Sequence, residues 1–144
     1  MENTLRVLAV AHDETTLRLC LLGLGIEGMD VVHAVDFESA VQSSAGRRPD
    51  VIVLDTTSAA SGGLAVLREL RSHPATSGVP IVTLTDDVRS GGRLSGWVAG
   101  ASASIAKPFS LDELSQTVRR FGHMSTTQLA AYRDDVLGRL RELV

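Results

Sequence analysis

Four polar groups in this sequence have the side-chain types needed to bind a cation and hold a phosphoryl group. They are Asp13, Asp55, Thr85 and Lys107, and each lies at or just beyond the end of a short apolar run. Carboxylate oxygens suit Mg²⁺, and an ammonium and a hydroxyl can hold phosphoryl oxygens on a carboxylate during in-line transfer. In that chemistry Asp55 would be the nucleophile. The four groups can act together only if the fold brings them to one place.

Asp55 ends the most apolar of these runs, residues 51–54, which Pro49 precedes. Three of the four residues in the run are β-branched, a composition typical of a strand that is buried on both faces of a parallel sheet. In an open parallel sheet, binding and chemistry occur outside the carboxyl ends of the strands. We therefore expect Asp55 at such an edge.

Five apolar segments are predicted to be strands. They span residues 5–11, 31–34, 51–55, 79–85 and 102–106. Helical spacing of apolar residues follows each strand, near residues 17–24, 36–46, 64–71, 87–98 and 110–121. The alternation favours an α/β fold, a flavodoxin-like doubly wound parallel sheet of five strands with five helices, over residues 1–122. Such a sheet gathers the carboxyl ends of its strands at one edge.

Two expectations concern individual helices. Gly23, Gly25 and Gly28 are predicted to break the first helix, because glycine disfavours helix interiors. Arg68 and Arg71 are predicted to lie on the exposed side of the third helix, opposite its leucines.

Residues 123–144 are predicted to form a further, amphipathic helix. Ser125 and Gln128 match a capping box, and apolar residues from Leu129 onward alternate with charged ones. The helix could fold back on its own domain, pair with a second copy to give a homodimer, or link to a further domain. We favour pairing or linking, because five helices already cover both faces of the sheet.

Composition limits the remaining possibilities for this chain of 144 residues. Its net charge of -3 and interspersed acids and bases do not favour direct binding to nucleic acid. No apolar run approaches a membrane span and the start lacks a basic signal, so a cytoplasmic protein with no membrane contact is expected. The single cysteine, Cys20, is predicted to be a core thiol. Thirteen of the fourteen cationic residues are arginine, which sets Lys107 apart.

Over about residues 5–121 the chain resembles the receiver domains of two-component response regulators. The motifs that carry the resemblance occur in order: His-Asp-Glu at 12–14, Gly-Met-Asp-Val-Val-His-Ala at 28–34, Arg-Pro-Asp-Val-Ile-Val-Leu-Asp at 48–55, Gly-Leu at 63–64, Val-Pro-Ile-Val-Thr-Leu-Thr at 79–85, Gly-Ala at 100–101 and Lys-Pro-Phe at 107–109. The resemblance implies a signalling switch in a phosphorelay rather than an enzyme.

The resemblance also implies roles for individual residues. Asp55 would be the phospho-acceptor, with Asp13, Asp55 and the backbone carbonyl of Thr57 holding Mg²⁺. Thr85 would be the switch hydroxyl and Lys107 the conserved lysine, followed by a cis bond to proline. The implied partners are a sensor histidine kinase or phosphotransfer protein, which phosphorylates Asp55, and a downstream protein.

The chain shows four departures from the family's pattern. His12 replaces an acid, Asp86 replaces a small residue, Ser104 replaces a switching aromatic residue, and Ser58-Ala59 replace Met-Pro. These departures leave open a pseudo-receiver, an interaction module that works without phosphorylation. A phosphoester hydrolase that uses Asp55 as a transient nucleophile ranks last, because the short loops leave little room for a substrate. Trp97 could have either of two roles, packing against the sheet or anchoring a partner protein.

Overall fold

A five-stranded parallel sheet forms the centre of the computed structural model, which describes residues 4–56, 63–86 and 100–142. Its strands are β1 (Arg6–Val10), β2 (Asp30–Ala34), β3 (Val51–Asp55), β4 (Ile81–Thr85) and β5 (Ala103–Ala106). They lie in the order β2-β1-β3-β4-β5. This is the order of the predicted flavodoxin-like fold, so that prediction is confirmed.

Helices cover the sheet on both sides. They are α1 (Glu14–Arg18), which continues as a π-helical segment (Leu19–Leu24), α2 (Phe37–Gly46), α3 (Gly63–Ser72), α4 (Leu111–Gly122) and α5 (Thr126–Glu142). Two helices begin at side-chain caps: the side chain of Asp36 accepts from the N–H of Ser39, and that of Ser110 from the N–H of Glu113. The helix predicted at 87–98 and Trp97 lie outside the described residues.

Two separate apolar clusters hold the helices on the sheet, because side chains alternate between the two faces of each strand. On one face Val53 and Leu84 pack with α4 through residues such as Phe121. On the other face Ile52 and Leu54 pack with residues of α2 and α3. Strand β3 is therefore buried on both faces, which confirms the reading of its apolar run and fixes Asp55 at its end.

The prediction that glycine breaks the first helix is wrong for Gly23 and Gly25. The π-helical segment runs through Gly23, and Gly25 keeps helical dihedrals. A Cβ on Gly23 would lie 2.6 Å from Cδ1 of Leu111, so this glycine lets α4 approach closely. Of these three glycines only Gly28, with φ of +89°, has the left-handed conformation that favours glycine at the end of a helix.

The tail helix α5 begins at the predicted capping box, in which the Gln128 N–H donates to Ser125 Oγ and the Ser125 N–H donates to Gln128 Oε1. Leu129 and Tyr132 then pack against the core cluster. The Tyr132 ring meets the Phe121 ring edge to face, with centroids 5.2 Å apart. The first turns of α5 thus fold back on the domain, contrary to our preference, while pairing or linking stays a prediction for the rest.

Arg71 is also placed differently from the prediction. It is half-buried rather than on the exposed side of α3, because its Nε donates to the Gly100 carbonyl at 2.7 Å.

Within the described part of the chain, the helices are too short or too polar to cross a membrane.

Candidate functional site

The parallel register places the predicted site residues on neighbouring strand ends. Strand β3 pairs with β1 on one side and with β4 on the other, and β4 pairs with β5. Asp55 is the last residue of β3, Thr85 is the last residue of β4, and Lys107 directly follows β5. Asp13 lies just beyond β1, where it caps α1. The sheet alone therefore brings all four residues to one edge.

A direct ion pair joins two of these residues. Lys107 Nζ lies 3.0 Å from Asp55 Oδ2, and the side chains of Lys107 and Asp55 are 24% and 8% exposed. The backbone N–H of Lys107 donates to the Thr85 carbonyl at 2.7 Å, which fixes the start of the lysine side chain. The predicted proximity of Asp55 and Lys107 is therefore observed, and the Lys107–Pro108 bond is cis as expected.

Thr16 connects Asp13 to this pair and was missed by sequence reasoning. Its hydroxyl lies 2.7 Å from Asp13 Oδ2 and donates to it, while Lys107 Nζ donates to the same hydroxyl at 3.3 Å. The signal was present in the sequence, because an N-cap residue engages the residue three positions later. A continuous chain of polar contacts thus runs from Asp13 through Thr16 and Lys107 to Asp55.

These contacts favour the ionised form of Asp13. Its pKa lies below the ordinary value, chiefly because the Thr16 hydroxyl and then the Thr16 N–H donate to the carboxylate, with a smaller effect from Lys107.

Cys20 is buried near the same residues, and burial together with the charge of Asp55 raises the pKa of its thiol to about 11. Cys20 is therefore a neutral core thiol, as predicted.

The donor set suits a magnesium ion better than a transition metal. Asp13 and Asp55 offer hard carboxylate oxygens from adjacent strands, and Mg²⁺ is commonly held by one or two carboxylates with phosphate and water. Among the described residues no group of three or more His, Cys, Asp or Glu could form a metal cage. Thr57, the third predicted ligand, lies outside the described residues.

Three of the four departures from the family's pattern lie within the described residues. His12 is exposed and lies near Asp36, whose pKa is lowered mainly by hydrogen bonds from Ser39 and slightly by His12. Asp86 is exposed directly after Thr85, which is itself 9% exposed. The fourth departure, Ser58-Ala59, lies outside the described residues.

At the position where the family often carries a switching aromatic residue, the structure has a pair of hydroxyls. Ser104 Oγ lies 2.6 Å from Thr83 Oγ1, and the two residues are register partners on β5 and β4. The Thr83 hydroxyl also approaches the Ala103 carbonyl at 3.4 Å. These contacts join β4 to β5 through side chains as well as backbone.

Comparison with known protein families matches residues 7–119 to the response regulator receiver domain. The chain belongs to this family. It is thus a receiver domain of two-component signalling, a signalling module rather than an enzyme. The predicted resemblance is confirmed, while the roles of individual residues stay predictions.

Three similar proteins illustrate the match. The transcriptional regulatory protein PrrA of Mycobacterium tuberculosis is 36% identical over 126 residues, which cover 85% of this chain and 53% of PrrA. The structure of the chemotaxis response regulator CheY4 of Vibrio cholerae has a TM-score of 0.74 and 25% identity, covering 83% of this chain and 99% of CheY4. The chain spans about half the length of the curated relatives it matches.

The third is the receiver domain of the sensor histidine kinase PA1611 from Pseudomonas aeruginosa, with a TM-score of 0.69 and 26% identity. The match covers 85% of this chain and all of that domain. A magnesium ion is coordinated in the active-site cleft of that protein.

Proposed function

We propose that this receiver accepts a phosphoryl group on Asp55 from a phosphohistidine of a sensor kinase or phosphotransfer protein. The observation that carries the proposal is the ion pair of 3.0 Å between Lys107 and Asp55 at the carboxyl edge of the sheet. This lysine contacts the carboxylate at the end of a strand whose first four residues are buried. A positioned carboxylate is what in-line transfer requires.

The chemical step is a displacement at phosphorus. A carboxylate oxygen of Asp55 forms a bond to phosphorus while the bond from phosphorus to the histidine nitrogen breaks, and that nitrogen keeps the electron pair. The ammonium of Lys107 and the hydroxyl of Thr85 then bind phosphoryl oxygens. Thr16 keeps Lys107 near the carboxylate in the meantime, since its hydroxyl accepts from Nζ at 3.3 Å.

Asp13 and Asp55, with the backbone carbonyl of Thr57 by family resemblance, would hold Mg²⁺. The bound ion supplies positive charge that offsets the charge of the phosphoryl oxygens. Asp13 suits this role because hydrogen bonds from Thr16 lower its pKa and keep it ionised. We place the exchange in the cytoplasm.

Phosphorylation would act as a switch by moving Thr85 and Lys107 toward the new phosphoryl group and changing the surface that a downstream protein recognises. The tail helix can contribute to the surface that the downstream protein recognises, because its apolar residues Val136 and Leu137 are only half-buried. We propose that residues 123–144 pair with a second copy or link to a further domain through this part of α5.

The test is incubation with acetyl phosphate and Mg²⁺, followed by the mass of the intact protein. The wild type should gain one phosphoryl group, and Asp55→Asn should gain none. Asp86→Asn is the matched control, because it removes a neighbouring exposed carboxylate; it should keep the gain and react faster, since a negative charge near the incoming anion is lost. No gain with acetyl phosphate or phosphoramidate would contradict the proposal.

The second candidate is a pseudo-receiver that binds its partner without phosphorylation. The hydroxyl pair between Thr83 and Ser104 favours it, because this contact replaces the aromatic side chain that otherwise changes position on activation. In that case Asp55→Asn would bind the downstream partner as tightly as the wild type does. A loss of binding in Asp55→Asn that tracks the loss of phosphate would exclude it.

A further inference from the structure

Thr56 directly follows Asp55, and its hydroxyl makes a contact outside the chain of polar groups that runs from Asp13 to Asp55. The residue is half-buried at the point where the chain leaves β3. Its backbone N–H donates to the Leu84 carbonyl at 2.8 Å, and its hydroxyl donates to the same carbonyl at 3.1 Å. A carbonyl oxygen has two lone pairs, so it can accept both bonds. One carbonyl of β4 is thus bound twice by the residue after Asp55.

The double contact lies where the backbone pairing of β3 with β4 ends. Asp55 and Leu84 are the last register partners of these two strands. The Thr56 N–H continues the backbone pattern by one bond, which any residue other than proline could supply. The hydroxyl adds a second bond that depends on the side chain at this position. Thr56 therefore ties the end of β3 to β4 more firmly than backbone pairing alone would.

The carbonyl that accepts these bonds belongs to the residue before Thr85. The next carbonyl, that of Thr85 itself, accepts from the Lys107 N–H at 2.7 Å. The two peptide groups that flank Thr85 are therefore held from opposite sides, one by the residue after β3 and the other by the residue after β5. This arrangement fixes the backbone of Thr85 relative to that of Asp55.

We propose that the Thr56 hydroxyl is a positioning group for phosphoryl transfer to Asp55, an inference that rests on the proposed function of Asp55. During transfer a carboxylate oxygen forms a bond to phosphorus while the bond to the donor breaks, and the Thr85 hydroxyl binds a phosphoryl oxygen. The carboxylate and the hydroxyl must keep a set separation, because a misplacement of about 1 Å can slow such a step roughly a hundredfold. In this role Thr56 contacts neither the phosphoryl group nor Mg²⁺, and acts through the Leu84 carbonyl.

Loss of the hydroxyl should leave the fold intact. The Leu84 carbonyl keeps the N–H of residue 56 as a donor, so no buried acceptor is left without a partner. The end of β3 can then shift relative to Thr85, since only the backbone bond still joins them at this point. The expected cost is therefore in the rate of transfer rather than in folding.

Two substitutions separate the hydroxyl of Thr56 from the shape of its side chain. Thr56→Val keeps the volume and the branching at Cβ but removes the hydroxyl, whereas Thr56→Ser keeps the hydroxyl and removes the methyl group. The measured quantity is the initial rate of phosphate gain from acetyl phosphate and Mg²⁺, followed by the mass of the intact protein. This rate should fall roughly tenfold in Thr56→Val and stay within about twofold of the wild type in Thr56→Ser. A role in packing would give the reverse order.

Ser104→Ala is the matched control, because it removes a hydroxyl contact between β4 and β5 that does not involve β3. It should gain phosphate as fast as the wild type does. A second measurement needs no phosphate and reports the hydrogen bond directly. The carbonyl carbon shift of Leu84 should move to lower frequency in Thr56→Val, where one of its two hydrogen bonds is lost, and should return toward the wild-type value in Thr56→Ser.

The inference is overturned if Thr56→Val gains phosphate as fast as the wild type, or if Thr56→Ser is the slower of the two variants. It is equally overturned if the Leu84 carbonyl shift is the same in Thr56→Val and the wild type, or if Ser104→Ala is as slow as Thr56→Val. These outcomes leave the proposed function standing when the wild type reacts. A wild type that gains no phosphate contradicts the proposed function itself, and the role of Thr56 falls with it.

Discussion

Lys107 and Arg71 are long cationic side chains at opposite ends of the same strands, and they are held in different ways. Lys107 contacts side-chain oxygens, at 3.0 Å from Asp55 Oδ2 and 3.3 Å from Thr16 Oγ1. Arg71 donates to the backbone carbonyls of Gly100, Ser77 and Val79. Backbone carbonyls have fixed positions, whereas side-chain oxygens can move.

This difference shows how one small domain can have a rigid amino-terminal edge and a carboxyl edge that is able to switch. At the amino-terminal edge a rigid five-donor fork joins the end of α3 to the segments before β4 and β5, so those segments cannot shift independently. At the carboxyl edge a flexible ammonium bridges Asp55 and Thr16, and a phosphoryl group can compete for its donors. We call the amino-terminal edge, held by Arg71, the locked edge, and it supports the strands. We call the carboxyl edge, with Lys107, Asp55 and Thr16, the poised edge, and it can respond to an added charge.

Removing Arg71 should have the largest effect on stability. Arg71→Ala leaves three carbonyl groups without their donor and should lower the free energy of unfolding by about 3 kcal/mol. Urea denaturation monitored by circular dichroism measures this loss. Arg68→Ala on the exposed side of α3 is the control and should change the free energy by less than about 0.5 kcal/mol. Equal losses in the two variants would show that Arg71 does not lock this edge.

Removing Lys107 should affect stability far less than function. Lys107→Met breaks a pair at a partly hydrated edge and should cost about 1 kcal/mol or less. The same denaturation measurement tests this, and phosphorylated Lys107→Met should lose the chemical-shift changes that phosphate causes beyond the site. A loss as large as that of Arg71→Ala would mean that the two edges do not differ in the way described.

The contrast between the edges also shows where sequence reasoning succeeds. Asp55 and Lys107 were found because apolar strands end at them, and a parallel sheet places strand ends together. The contact between Thr16 and Asp13 was missed, although an N-cap at Asp13 would have predicted it. The contacts of Arg71 could not be predicted, because three of its four partners are backbone carbonyls, as far as 29 positions away, and backbone atoms leave no mark in the sequence.

The helices show a similar limit. Gly23 was expected to break the first helix, but the need for glycine arises from Leu111 of a distant helix, which no local pattern reveals. The tail helix was predicted from its capping box. Its docking was not, because it depends on contacts of Tyr132 with Phe121 and Arg120.

A smaller change would sharpen the role of Thr16 at the poised edge. Thr16→Val removes the hydroxyl that connects Asp13 to Lys107, so the pKa of Asp13 should rise toward its ordinary value of 3.8. Carboxyl chemical shifts measured against pH report this change, and phosphate incorporation should slow roughly tenfold as Lys107 loses a contact. Thr15→Val, at an exposed position, should alter neither. An unchanged pKa in Thr16→Val would refute the role assigned to the hydroxyl.

The pH dependence of Thr16→Val has a definite sign. Since the folded-state pKa of Asp13 is depressed, its ionised form contributes stability that is present above the unfolded-state value and is lost as the pH falls through the folded-state value. Thr16→Val should therefore lose less stability on acidification than the wild type does. Denaturation at a series of acidic pH values tests this.

The smallest expected effect concerns the tail helix beside the locked edge. Gly138→Ala places a Cβ in open space within α5 and should stabilise the helix by up to about 1 kcal/mol. Gly28→Ala also enters open space, but at φ of +89° it should destabilise the fold by a similar amount. Hydrogen exchange of α5 and thermal unfolding check the pair. Changes of the same sign would contradict the backbone argument.

The most direct measurement locates the phosphoryl group itself. An aspartyl phosphate is a mixed anhydride, so borohydride reduces it to homoserine, and fragment masses of the digested protein then show which residue changed. After acetyl phosphate and Mg²⁺ the account predicts homoserine at position 55 and not at positions 13 or 86. Conversion at any other acid, or none in a protein whose intact mass shows a phosphate, would contradict the claim that Asp55 accepts the phosphoryl group.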